Sequence, residues 1–131
     1  MRDWPGLGPS LVHVPDPLTP SRLAEGLAAQ LAPTYRVLSV APRAGAPYQL
    51  AAADLAGVLC QFGFEQPVLI GEGLGCLPVV IVAAWHPERV GRVILVGPTC
   101  AAPLRDGIEA RALRECPPDW PALLRSVTCD V

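Results

Sequence analysis

Hydrophobic positions along this 131-residue chain follow two rhythms in turn. Short, nearly unbroken apolar runs at 10–14, 35–40, 68–70 and 92–96 carry the β-branched and leucine content of buried strands. Between them the spacing lengthens to three and four. Leu23, Leu27 and Leu31 form one stripe, with Arg22, Glu25 and Gln30 off it, and Leu55, Val58, Leu59 and Phe62 form a second. These predict a helix that begins near 19–21 and ends at Pro33, then one over 50–62 stopped by Gly63. The run from Val68 to Trp85 holds Glu72, Pro78 and three glycines, so it reads as a buried strand and a buried helix (74–85) and not a membrane span.

The predicted order is therefore β-α-β-α-β-α-β. Strands alternating with helices imply right-handed crossovers and a parallel sheet of about four strands with helices on both faces, an α/β fold in three layers. Beyond Gly97-Pro98 the pattern weakens to two short helices, LRDGIEARALRE and PPDWPALLRS, joined by Pro117-Pro118. The expected organisation is a core over 1–99 and a helical tail over 100–131.

Composition narrows the function. At this length and 51% hydrophobic, one domain can bury roughly two thirds of its unfolded surface. A net charge of −2 supplies no basic patch, which argues against nucleic-acid or anionic-membrane partners. The five cysteines (60, 76, 100, 116, 129) contain no C-x-x-C pair, and the opening MRDWPGLGPS has no apolar signal segment. The expectation is a reduced, cytoplasmic setting with buried thiols acting as small hydrophobes, no metal and no cofactor.

The most informative segment is VLIGEGLG at 68–75, followed by AAWHPERVGRVILVGP. Its strand, glycine turn and helix start resemble the nucleophile elbow G-x-S-x-G of the α/β-hydrolase family, with Gly71 and Gly75 flanking Gly73 where the serine would stand. HPERV at 86–90 is a frequent feature of the same family, and the resemblance covers about 10–99. It implies the spatial strand order second, first, third, fourth, and a tail that begins where such enzymes insert a lid.

Departures from the family weigh against hydrolysis. Gly73 has no hydroxyl. After the first strand the family has His-Gly and then a backbone oxyanion donor, whereas here stand His13, Val14 and Pro15, and proline has no N–H. Such a donor is worth roughly 3 to 4 kcal/mol of barrier, although Leu74 could still supply the other. The usual Asp-x-Arg-Gly after the second strand reads Ala41-Pro42-Arg43-Ala44. In the family the triad acid and histidine follow the lid, and the sequence ends at Val131. Of the two histidines, His13 occupies a structural place and His86 lies at the far end of the elbow helix.

Glu72 reads as an exposed or capping carboxylate, stabilised as an anion by the helix start, and Cys76 as a buried structural thiol. The sequence thus predicts a degenerate hydrolase-like domain without hydrolytic activity, serving as a binding or assembly module. Its candidate pocket comprises His13, Val14, Pro15, Glu72, Gly73 and Leu74, open to a small acyl ligand. Two alternatives stand beside it. One is an ester hydrolase completed by a longer product or a second chain. The other is a small-molecule site in the cleft above the strand ends, near Pro15 to Thr19 and Gly71 to Leu74, or a nucleotide site, since G-x-G-x-G-C partly imitates a dinucleotide fingerprint but lacks the acid after the next strand. Apolar sheet edges, Val93 and Leu95 among them, also suggest a homo-oligomer, unless the tail or the first ten residues cover them.

Overall fold

The computed structural model describes residues 1–18, 21–32, 34–43 and 47–97. They form strands β1 (Arg2–Trp4), β2 (Ser10–Val14), β3 (Arg36–Ser39), β4 (Val68–Glu72) and β5 (Arg92–Val96), with helices α1 (Leu23–Leu31), α2 (Tyr48–Gln61) and α3 (Cys76–Trp85). The sheet runs β1-β3-β2-β4-β5. Strands β3, β2, β4 and β5 are parallel and lie in the expected order; the tail expected over 100–131 lies outside the described residues.

A fifth strand was not expected. Arg2–Trp4 pairs antiparallel with β3, covering one of the two edges the sequence leaves open. Three residues carry too little periodicity to announce a strand. What holds it down is tertiary: Asp3 accepts from Nη2 of Arg36 at 2.8 Å, and that guanidinium also lies over the rings of Phe62 and Phe64. At the other edge, alternation along β5 turns Val93 and Leu95 toward the main core, so Ile94 and Val96 are the exposed apolar side chains there. The edge residues singled out in the sequence were the wrong pair.

Two packing layers follow from the period of two along each strand. Val12, Val14, Leu38 and Leu69 belong to a core built with α2 and α3, while Leu11 and Val37 pack with Ala28 of α1. In α1 the small residues Ala24 and Ala28 touch the sheet most closely, with Leu27 and Leu31 half-buried beside them. The alanines let the helix approach. Helix α3 is apolar all round and buried from Cys76 to Ala83, lying between the sheet and α2. Pro78 is tolerated because it falls in the first turn, where the backbone N–H has no helical partner. Fully buried side chains such as Leu69, Leu77 and Ile81 contribute about 1.5–3 kcal/mol each.

Cysteine burial is mixed. Cys76 is buried, as expected, but Cys60 is exposed, because it lies on the outer face of α2 one residue beyond the buried Leu59.

Arg43, the residue left from the family's turn, grips Asp54 of α2 through Nε and Nη2, both at 2.8 Å. The hydrogen bond and then the charge of Arg43 hold the Asp54 carboxyl below its ordinary value. A carboxylate with a depressed folded-state pKa stabilises the fold above its unfolded pKa, near 4, and loses that contribution as pH falls through the lower folded value. Urea midpoints of the wild type and Asp54→Asn should therefore differ by a constant amount above about pH 5 and converge in acid. A gap that does not change with pH would show that the pair contributes nothing.

Candidate functional site

The site forms where β2, β3 and β4 end. Pairing sets His13 beside Ser39 on one side and Ile70 on the other, so all three share the sheet face toward α1. Glu72 follows Ile70 by two and joins that face. The sequence ended this strand at Ile70 and assigned Glu72 to the turn as a capping carboxylate. In the structure the strand continues to Glu72, and the side chain makes no capping hydrogen bond.

Instead the carboxylate is tied into a polar chain. His13 is 1% exposed, with Nε2 3.0 Å from Oε2 of Glu72 and Nδ1 3.1 Å from Oγ of Ser39. Ser21, just before α1, donates its hydroxyl to the same Glu72 oxygen at 2.6 Å and accepts from the Leu23 N–H. A carboxylate only accepts, so Nε2 carries the proton facing Glu72; in the neutral ring Nδ1 is then the acceptor for the Ser39 hydroxyl. Burial of an imidazole costs little here because both nitrogens are satisfied.

A cavity of about 530 Å³ opens beside this chain, lined by His13, Ser21 and Ser39 together with Pro15, Asp16 and Ala41. Arg2 and Glu25, hydrogen-bonded to each other, stand on the same wall. Of the pocket residues inferred from sequence, His13 and Pro15 line this space. Val14 and Leu74 are core residues, 2% and 1% exposed, and Glu72 reaches the site through His13. Asp16 falls within the cleft expected near 15–19, whereas Ser21 and Ser39 were not identified. Each belongs to a loop or strand end, where nothing in the spacing says which distant strand lies alongside.

The turn itself keeps the form of an elbow. Strand β4 leads into one short 3-10 turn, Gly73–Gly75, and directly into α3. Gly73 has φ +57°, the left-handed conformation that the nucleophile of a strained elbow must adopt. The space a side chain would take is filled: a Cβ on Gly73 would lie 2.8 Å from Cγ of Asp16. Asp16 is fixed there by an Asx turn in which Oδ1 accepts from the Leu18 N–H at 2.9 Å. Gly75 passes beneath the end of β2, where a Cβ would meet the Val14 carbonyl and come within 2.6 Å of the Pro15 carbonyl oxygen. Gly71 is equally close-packed, with a Cβ position 2.7 Å from the Cys76 Cα. A tight strand-turn-helix of this form, at the carboxyl ends of a parallel sheet ordered β3-β2-β4-β5, is diagnostic.

The chain has the α/β-hydrolase fold. An α/β hydrolase from Novosphingobium aromaticivorans superposes with a TM-score of 0.62 and 31% identity over 72% of this chain. An N-formylmaleamic acid deformylase from Pseudomonas putida S16 superposes at 0.63 with 23% identity over 79% of this chain. By sequence, 84 residues are 37% identical to a homoserine O-acetyltransferase of Thermus thermophilus. No family model matches. The aligned part spans 21% of that acetyltransferase, and 38% and 44% of the two solved hydrolase-fold chains. Among the described residues of this hydrolase fold, His86 lies at the end of α3 remote from the elbow, and no helix is long and apolar enough to cross a membrane.

Proposed function

We propose that this chain is a hydrolase-like domain whose elbow performs no hydrolysis and whose cleft binds a small acyl compound. One observation carries the reading. At the nucleophile's place the backbone keeps a positive φ, yet the residue is Gly73 and the side-chain space holds the Asp16 carboxylate. A carboxylate fixed over that turn opposes the negative charge that acyl transfer develops on the substrate oxygen. The adjoining cavity of about 530 Å³ is within the range of small-molecule sites and mixes apolar walls (Pro15, Leu18, Ala24) with hydroxyl and imidazole groups.

A thermal-shift series with short-chain acyl esters and amides, and with nucleotides as the comparison, tests this. The expected result is stabilisation by acyl compounds and none by nucleotides. Ala41→Trp, at an exposed position on the cavity wall, should abolish the shift without changing the ligand-free melting temperature. No shift with any acyl compound, or a shift indifferent to Ala41→Trp, would sink the binding reading.

A second reading is a hydrolase completed by further residues, which the partial span of the relatives favours. An endogenous product with an intact mass far above that of 131 residues would support it.

A further inference from the structure

The polar chain across the strand ends has the connectivity of an activated nucleophile: hydroxyl, imidazole, carboxylate. We propose that Ser39 is an acyl-accepting serine, with His13 as its general base and Glu72 as the residue that positions the imidazole.

Three features select this assignment. His13 presents one nitrogen to each neighbour, at 3.1 Å to Ser39 and 3.0 Å to Glu72, and both distances suit a nucleophile–base and a base–orienter hydrogen bond. Glu72 accepts from Nε2, which leaves Nδ1 as the basic nitrogen facing the hydroxyl. The nitrogens are thus used in the opposite sense to the familiar serine triad, where Nε2 faces the hydroxyl. Ser21 is excluded as the nucleophile because its proton is given to Glu72 and its oxygen accepts the Leu23 amide. Ser39 has no such commitment to backbone, and it lines the cavity together with His13.

The reaction balances with an aryl ester as acyl donor. The Ser39 Oγ adds to the carbonyl carbon as its proton passes to Nδ1 of His13. The bond from carbon to the aryl oxygen then breaks, and the imidazolium returns the proton to the departing aryloxide, leaving acyl-Ser39 and a phenol. Water can later repeat the sequence in place of the hydroxyl, releasing a carboxylic acid and restoring Ser39. This centre uses neither Gly73 nor any group beyond the described residues.

The sequence assists the test, since all ten basic residues are arginine and there is no lysine to acylate. The full chain, with Cys60, Cys100, Cys116 and Cys129 changed to alanine, is incubated with p-nitrophenyl acetate near pH 8 and peptides are mapped by mass. One acetyl group is expected on the peptide that carries Ser39, with a burst of p-nitrophenol equal to the protein. Ser39→Ala should remove both, whereas Ser21→Ala, which takes one hydrogen bond from Glu72, should keep the adduct on Ser39 and form it more slowly. His13→Gln, compared only if its circular dichroism matches the wild type, should slow acylation by about 100-fold or more, the usual share of a general base. Glu72→Gln should slow it less and alter the pH profile of the burst, a change that simple loss of packing would not produce.

Acetylation only at the N-terminus, Ser21 or other hydroxyls would overturn the proposal, as would acetylation of Ser39 at an unchanged rate in folded His13→Gln. So would the absence of any adduct. In that last case a persisting thermal shift with acyl esters would still uphold the binding reading, so the two ideas fail separately.

Discussion

Gly75→Ala should destabilise the protein by about 3 kcal/mol, the upper end of what overpacking a tight site costs. The added methyl group would run into the carbonyl oxygens of Val14 and Pro15, both backbone atoms at the end of β2. Neither can swing aside as a side-chain tip would. Relief requires α3 to move from the sheet, and α3 is the most buried helix in the molecule, with residues Val79 to Ile81 fully enclosed. For a small domain with a total stability of about 5–15 kcal/mol, this is a large fraction. Gly57→Ala supplies the contrast, since Gly57 lies on the exposed side of α2 with nothing near its Cβ position; that change should stabilise by about 0.5–1 kcal/mol. Urea denaturation of both variants measures the difference. A Gly75→Ala midpoint close to that of the wild type would mean that the elbow does not pass beneath β2 at contact distance.

Restoring the family's hydroxyl should not restore its chemistry. Gly73→Ser forces a side chain onto a backbone at φ +57°, which costs about 1–3 kcal/mol of strain, and it must also expel the Asp16 carboxylate from the same space. Expulsion breaks the Asp16–Leu18 turn. Asp16→Gly should therefore be less harmful in the Gly73→Ser background than alone, with a coupling of about 1 kcal/mol between the two sites. Stability of the two single variants and the double variant gives that coupling directly. Strict additivity would show that Asp16 does not occupy the nucleophile's space. In the double variant a fluorophosphonate probe should still leave position 73 unlabelled. The elbow would have a hydroxyl but no base, because the ring nitrogens of His13 are engaged by Ser39 and Glu72. Labelling at position 73 would show that a base reaches the elbow after all.

Much of the architecture was legible because it is written in local periodicity. The run 92–96 matched its strand to the residue, and the helix read over 50–62 matched α2 to within two residues at its start. The strand at 68–70 was read two residues short, and the error had a chemical consequence. Glycine and glutamate are poor strand formers, so Gly71 and Glu72 read as turn. Pairing with β2 and β5 overrides that preference, since Gly71 lies opposite Val14 and Leu95, and Glu72 opposite Val96. Two further residues of strand turn Glu72 from an isolated carboxylate at a helix start into the partner of a buried histidine.

The candidate site was legible only in part for a related reason. His13 and Gly73 were identified because they occupy places in a recognisable pattern. Asp16, Ser21 and Ser39 occupy none. Ser39 lies 26 residues from His13, across the crossover that joins β2 to β3, and Glu72 lies 59 residues from the histidine it touches. No periodicity encodes which strand ends will be neighbours.

By itself, then, the sequence determined the alternation of strands and helices, the glycine turn, and the absence of a hydroxyl at position 73, because each is a property of a short stretch of chain. The tertiary structure decided what stands over that turn and which polar groups meet. Those outcomes depend on the lateral order and register of parallel strands, which bring residues remote in sequence to one sheet face. There Asp16 fills the elbow, and a serine, a histidine and a glutamate from three strands share one line of hydrogen bonds.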